Sequence, residues 1–267
     1  MIDLHCHVLA GIDDGPESIE GSVALARAAA NAGVQTLVAT PHVSRHYPND
    51  ADAIVGLVDQ LNDRLTSEEL ALEVLPGAEL AITQLSEIDP SGLPRLCLGG
   101  GPWLLVECPL GLDEPDIAPA VTDLQKRGFR VVLAHPERCP AYHRSPAALA
   151  ALVRSGALTS ITAGAFVGRF GGTVRRFALE LVRSGLVHSV ASDAHDRSLR
   201  PPGMASELQQ AGLGGLAEWL TREVPEAVLA GTDIPPRPNV ALANGATGRT
   251  AWWRRIGGQS RASKRAY

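Results

Sequence analysis

Residues 1–15, MIDLHCHVLAGIDDG, begin as a strand and end as a glycine-bounded loop crowded with metal-ligand side chains. Side chains alternate along a strand, so His5 and His7 share one face while Cys6 takes the other, and two imidazoles at that spacing can grip one ion. Asp3 lies on the same face one step deeper, where it is read as a carboxylate that accepts a ring N–H from a ligating histidine and orients it. Asp13 and Asp14 follow in the IDDGP loop, from which a carboxylate can swing back towards the same ions. An HxH pair alone is weak, because two histidines are often no more than satisfied structural side chains. The reading depends on whether later segments deliver further ligands to the same place.

They do. After the opening loop, ESIEGSVALARAAANAG carries small and apolar residues at helical spacing and stops on Gly33, suited to the left-handed position after a helix. VQTLVATPH then reads as a buried strand whose polar end delivers His42. A second helix near residues 50–65 precedes LALEVLPGAEL, which runs through Gly77 to Glu79, and WLLVECP ends at Glu107. Three more units follow: LQKRG into FRVVLAHPER, ALVRSG into ALTSITAG, and LELVRSG into LVHSVASDAH. Helix, glycine stop, apolar strand and polar strand end recur, which is the pattern of repeated α/β units with parallel strands and right-handed crossovers. Seven strands are predicted, at 2–6, 34–40, 72–77, 103–107, 130–135, 158–162 and 187–191. Their expected closure is a (β/α)-barrel.

Barrel enzymes build their sites on the loops after the strands. His5, His7, His42, Glu79, Glu107, His135, Asp193 and His195 all fall at the C-terminal ends of predicted strands, and Asp14 lies in the first βα loop. A purely structural set of polar residues would be scattered. Imidazoles and carboxylates without a suitably placed thiolate favour Mn, Fe or Zn over a soft-metal site.

A chain of 267 residues, 45% hydrophobic, buries a sizeable core and suits one barrel-sized domain. Cysteines 6, 97, 108 and 139 show no CxxC spacing, which suits a reducing compartment and argues against a zinc knuckle. Met1 leads directly into the first strand, with no signal-peptide pattern and no apolar run long enough to span a membrane, so a cytoplasmic protein is expected. Of the net charge of −5, residues 237–267 hold seven positive side chains and no acids, leaving −12 on the remainder. An acidic body argues against non-specific nucleic-acid binding.

The motifs MIDLHCHVLAGIDDGP, VATPH, LPGAEL, LLVECP, VVLAHPER, ALTSITAG, and SVASDAH followed by RPP occur in one order over residues 1–205. In this the chain resembles the polymerase and histidinol phosphatase (PHP) superfamily, and within it the bacterial manganese-dependent tyrosine-protein phosphatases associated with capsule and exopolysaccharide gene clusters. The resemblance implies a distorted (β/α)7 PHP-type barrel over residues 1–235. It implies that His5, His7, Asp14, His42, Glu79, Glu107, His135, Asp193 and His195 hold two or three Mn ions, with Fe or Zn as alternatives, and that Arg138 and Arg200 bind substrate phosphate. Glu79 is the expected bridging carboxylate. The implied substrate is a phosphotyrosine protein, a bacterial tyrosine kinase in particular, with no nucleic-acid partner. Cys139, His46 and Tyr47 depart from the pattern or have no role assigned by it.

Metal ions about 3.5–4 Å apart lower the pKa of a bridging water, so hydroxide serves as the expected nucleophile and no protein nucleophile is needed. None of the four cysteines sits in the CxxxxxR loop of cysteine-based tyrosine phosphatases. A phenol leaving group, with a pKa of ~10, needs little general-acid help, and His42 is the candidate if a proton is donated. Competing readings are another PHP phosphoesterase acting on histidinol phosphate or a nucleic-acid end, and an inactive metal-binding module. An amidohydrolase also opens with HxH, but that class bridges its metals with a strand-end lysine. Here the only lysines are Lys126, in a helix, and Lys264, in the tail. Residues 236–267 read as a basic, mobile extension, with Trp252, Trp253, Arg254 and Arg255 as a short patch suited to an anionic partner or a membrane surface.

Overall fold

A computed structural model describes residues 1–85, 88, 91–111 and 116–240. The predicted Trp252–Arg255 patch and nearly all of the basic extension lie outside the described residues.

All seven predicted strands are present, as β1 (Ile2–Cys6), β2 (Thr36–Ala39), β4 (Glu73–Pro76), β6 (Trp103–Glu107), β7 (Arg130–Ala134), β8 (Leu158–Thr162) and β9 (Ser189–Ala191). Two further strands of two residues, β3 (His42–Val43) and β5 (Glu79–Leu80), continue β2 and β4 after short breaks. Proline supplies the first break: Pro41 has no N–H to give to a ladder. Gly77 supplies the second, where a Cβ would come within 2.8 Å of Val38 Cγ1. Both breaks immediately precede a predicted ligand, so the chain is re-aimed where His42 and Glu79 leave their strands.

Every strand pair is parallel. One sheet has the order β1-β2-β4 and the other β3-β5-β6-β7-β8-β9. Backbone bonds continue between them: Thr40 N–H donates to Cys6 O at 2.9 Å and Glu79 N–H to Pro41 O at 3.1 Å. At the far edge, β1 meets the residues following β9. Asp193 N–H donates to His5 O and His7 N–H to Ala194 O, each at 2.9 Å.

Helices follow the strands as the glycine stops predict. They include α1 (Ile19–Asn31), α2 (Ala51–Ser67), α3 (Ala118–Lys126), the short α4 (Pro140–Arg144), α5 (Pro146–Arg154), the single turn α6 (Ala163–Phe166) and α7 (Gly172–Arg183). Ser18 caps α1 by accepting from Gly21 N–H, and Asp50 caps α2 by accepting from Ala53 N–H at 2.9 Å. Gly33 takes the left-handed conformation just past α1, with φ of 90°. Helix α7 buries Phe177, Ala178, Leu181 and Val182. Strand side chains such as Leu4, Leu37, Val74, Leu104, Val132 and Ile161 complete one contiguous core. The last described residues pack onto this body: Trp219 Nε1 donates to Pro235 O at 3.0 Å, and Arg237 donates to Val182 O at 2.7 Å. No helix among the described residues is long and apolar enough to cross a membrane.

Candidate metal centre

The nine predicted ligands converge at the C-terminal ends of the strands. His5 and His7 point the same way from β1, with their Nε2 atoms 3.1 Å apart and both rings almost fully buried. Glu79, at the start of β5, sits between them and two further imidazoles. Its Oε2 lies 3.2 Å from His5 Nε2, 3.3 Å from His7 Nε2 and 3.2 Å from His42 Nδ1, while Oε1 lies 2.8 Å from His135 Nε2. Asp193 approaches from the β9 end, with Oδ1 3.5 Å from His5 Nε2 and 3.6 Å from His7 Nε2. On the solvent side Asp14 Oδ1 is 3.2 Å from His195 Nε2 and 3.6 Å from His42 Nε2. Glu107 is the most peripheral, 4.0 Å from His135 Nε2.

Three overlapping groups have ligand atoms within 4.8 Å of one another: His7, Asp14, His42 and His195; His5, His7 and Asp193; and His42, Glu79 and Glu107. The donor chemistry fits hard to borderline divalent cations, with nitrogen and carboxylate oxygen and no sulfur. Hydrogen bonding supports the same conclusion. Glu79 Oε2 and His195 Nε2 are buried among polar neighbours, yet no aligned hydrogen-bond donor or acceptor satisfies either. Such atoms are rare in proteins, and a bound cation is the kind of partner that would satisfy them.

Charge interactions bind the cluster together without a metal. Burial opposes ionisation of Glu79, but His5 and His135 outweigh it and hold its pKa well below the usual range. For Asp193, burial is likewise overcome, chiefly by His5 and Arg200. Burial works against a charge on His7, but the hydrogen bond with Asp13 and the nearby Glu79 carboxylate prevail and raise its pKa to about 10. His5 is raised too, despite burial, by Glu79 and Asp193. For His42, His135 and His195 burial prevails, and their pKa values fall.

Local backbone conformation also marks the site. His135 and Asp193 are two of only three non-glycine residues with positive φ among the described residues, at 35° and 52°. Left-handed backbone is costly for such residues and persists where surrounding contacts over-determine it.

Arg138 and Arg200 both reach into the cluster. Their guanidinium groups meet Oδ2 of Asp193, at 3.1 Å and 2.6 Å, and Thr162 Oγ1 donates to the same oxygen at 3.3 Å. Arg138 also lies over the Phe170 ring, 4.7 Å from its centroid. On the opposite side Tyr47 stacks on His42 at a ring separation of 5.7 Å, and His46 packs against Tyr47. Cys139 is buried away from solvent, as are Cys6, Cys97 and Cys108.

The family model described as capsular polysaccharide synthesis, CpsB/CapC, matches residues 1–212. The chain belongs to the CpsB/CapC family. It is 40% identical over 201 residues to tyrosine-protein phosphatase YwqE of Bacillus subtilis, covering 75% of this chain and 79% of that one. It is 28% identical over 213 residues to tyrosine-protein phosphatase CpsB of Streptococcus agalactiae, covering 77% and 87%. Among solved structures, it matches one from work on YwqE of Bacillus subtilis and CpsB of Streptococcus pneumoniae, described as unique metal-dependent tyrosine phosphatases. The TM-score is 0.79 at 36% identity, covering 90% of this chain and all of that one. A β-aspartyl dipeptidase from Fervidobacterium islandicum, at 14% identity and a TM-score of 0.52, shares the fold alone.

Two features of this CpsB/CapC site differ from the sequence expectation. Asp3 does not accept from an imidazole. It takes the backbone N–H of His5 at 3.3 Å and of Ser192 at 3.0 Å, and the Ser192 hydroxyl at 2.5 Å. It therefore fastens the β1 edge to the chain leaving β9 and orients a ligand only through the backbone. The carboxylate that holds a ring is Asp13, whose Oδ2 lies 2.7 Å from His7 Nδ1 and accepts from His42 N–H at 3.1 Å, while Oδ1 accepts from Gly15 N–H at 2.9 Å. Gly15 is required there, because a Cβ would fall 2.4 Å from His7 O. The signal for Asp13 was the IDDG motif itself, in which adjacent carboxylates take opposite tasks.

Proposed function

We propose that this CpsB/CapC protein is a metal-dependent tyrosine-protein phosphatase, hydrolysing phosphotyrosine in proteins of capsule or exopolysaccharide synthesis. The observation that carries the reading is the buried Glu79 carboxylate surrounded by four imidazoles, with two arginines meeting at the adjacent Asp193. The names of the relatives support it. Residues 1–235 are assigned to the catalytic domain and 236–267 to a basic extension. The backbone bonds that join both pairs of sheet edges support a distorted seven-unit barrel.

In this reading His5, His7, Asp14, His42, Glu79, Glu107, His135, Asp193 and His195 would hold two or three divalent ions, with Glu79 as the carboxylate they would share. Manganese suits the oxygen and nitrogen donors, as do iron and zinc. Such ions, when bound, supply Lewis-acid activation of water near neutral pH and offset charge on the phosphoryl group. Arg138 and Arg200 hold non-bridging phosphate oxygens. Each guanidinium has five N–H donors, so contact with Asp193 leaves others for substrate. The lowered pKa of His42 keeps it neutral at pH 7, which fits a ligand better than a proton donor. A phenolate leaves with little help, consistent with the absence of a dedicated acid. The cellular substrate in this reading is a tyrosine kinase in the cytoplasm.

The test compares hydrolysis of a phosphotyrosine peptide, histidinol phosphate and p-nitrophenyl phosphate, with and without chelator and after thiol alkylation. Turnover of the peptide and the aryl phosphate is expected, abolished by chelator, restored by Mn and unaffected by alkylating the native protein, whose thiols are all buried. Preference for histidinol phosphate, or full activity without metal, overturns the proposal.

A further inference from the structure

Both arginines assigned to phosphate meet one oxygen, Oδ2 of Asp193, and a third donor joins them there, Thr162 Oγ1 at 3.3 Å. The other oxygen, Oδ1, faces His5 and His7 at 3.5 and 3.6 Å, so the rotation of this one carboxylate sets where the arginines stand relative to the cluster. Thr162 ends β8 and is buried, and its backbone N–H donates to Oε1 of Glu137 at 3.0 Å. Glu137 is fully buried in the turn between His135 and Arg138. A closed circuit results: Glu137 to Thr162, Thr162 to Asp193, Asp193 to Arg138, and Arg138 back to Glu137 along the chain.

A buried carboxyl often does no more than tie two segments together. Two observations favour a role at the site. Oε2 of Glu137 is buried with no aligned donor, and a half-paired carboxyl costs stability, so an apolar side chain would serve the core better. The turn also keeps its shape without this side chain, because Arg138 N–H donates to His135 O at 2.9 Å and His143 Nε2 lies 2.6 Å from Glu137 O. What the carboxyl adds is a link to Thr162, and through its hydroxyl to the oxygen on which Arg138 and Arg200 converge.

We propose that Glu137 and Thr162 are positioning residues that hold the Asp193 carboxylate in the rotation that presents Arg138 and Arg200 to substrate phosphate. The proposal rests on the phosphatase reading above. Each residue acts through Asp193 and takes no part in the chemistry.

The test uses the full-length, metal-loaded protein and its Thr162→Val, Thr162→Ser, Glu137→Ala and Glu137→Gln variants. Metal content is measured by elemental analysis, alongside kcat and KM for p-nitrophenyl phosphate and Ki for inorganic phosphate. Valine matches threonine in shape and removes only the hydroxyl, serine keeps the hydroxyl, and glutamine keeps an acceptor for the Thr162 N–H. Thr162→Val and Glu137→Ala are expected to keep the parental metal content while Ki for phosphate rises and kcat/KM falls, each by roughly tenfold, the lower end for a partner acting through a ligand. Thr162→Ser and Glu137→Gln should recover to within about threefold of the parent. Thr162→Val and Glu137→Ala combined should lose no more than the worse of the two alone, because both act on one oxygen. A merely structural role lowers the melting temperature and leaves Ki for phosphate unchanged in the folded, metal-loaded protein, and that result in Thr162→Val overturns the proposal. Loss of metal from Thr162→Val overturns it too, as does a Glu137→Gln variant as impaired as Glu137→Ala. Should Glu137→Ala fail to fold, the valine and serine variants of Thr162 decide. A metal-loaded parent protein that does not hydrolyse the aryl phosphate refutes the phosphatase reading itself, whereas an active parent with unaltered Ki in Thr162→Val refutes the positioning role alone.

Discussion

Oδ2 of Asp13 lies 2.7 Å from Nδ1 of His7, and this contact fixes which nitrogen of His7 faces the cluster. Because Asp13 also accepts from the His42 and Gly15 N–H groups, it ties the first βα loop to two candidate ligands at once. Partners of this kind typically contribute one to two decades of metal affinity. Asp13→Ala is therefore expected to weaken metal binding by roughly 10- to 100-fold, measured by competition with a chelator of known affinity. Asp13→Asn should lie between this variant and the parent. Unchanged affinity in Asp13→Ala would show that packing alone orients His7.

Binding of metal and binding of phosphate should separate by mutation. Arg138 stands beside the cluster with its guanidinium over Phe170 and against Oδ2 of Asp193, while its backbone N–H donates to His135 O, a bond that alanine keeps. Arg138→Ala should retain full metal content while kcat/KM for an aryl phosphate falls by about 100-fold, or ~3 kcal/mol, as expected for loss of a charge-assisted contact to a charged transition state. His135→Ala removes the imidazole held 2.8 Å from Glu79 and should lose metal as well as activity. Elemental analysis of both variants checks the distinction. Loss of metal from Arg138→Ala would reassign that arginine to holding Asp193 in place.

The parts legible in the sequence and the parts that were not differ for physical reasons. Strands β1, β2, β4, β6, β7, β8 and β9 are apolar runs bounded by glycine stops, so periodicity found them within a few residues. Strands β3 and β5 have two residues each, too few for any period, although Pro41 and Gly77 mark the breaks before them. The candidate ligands were legible as a cluster because a parallel α/β chain repeatedly delivers strand ends to one side of the sheet. Asp3 was misread because alternation gives the face of a strand and not what packs there. Its partner, Ser192, is 189 residues away and reaches it only when the last strand returns beside the first. Asp13 and Asp14 cannot be ranked by residue type, since one carboxylate differs from the next only in what the loop places beside it.

The last prediction concerns protons. In the metal-free protein the pKa of His7 is raised to about 10 and that of His5 is also raised, whereas those of His42, His135 and His195 are lowered. At pH 7 His7 is therefore protonated and the last three are neutral. A histidine must be neutral to ligate, so metal binding at pH 7 displaces the proton of His7, about one proton, together with any charge that the raised pKa leaves on His5. Calorimetric titration in buffers of different ionisation enthalpy should give a slope of at least about one released proton, and affinity should rise with pH across the neutral range. The sign for stability follows from the same raised values. The contribution of charged His7 is fully present below its unfolded pKa of ~6.5 and is lost as pH rises towards about 10. Metal-free protein should thus lose thermal stability from pH 7 to pH 10, while metal-loaded protein, whose ligating histidines are already neutral, should not show that loss. No net proton release on binding would mean that His7 is neutral beside Glu79 and Asp13, and that hydrogen bonds between an uncharged ring and these carboxylates hold it in the metal-free protein.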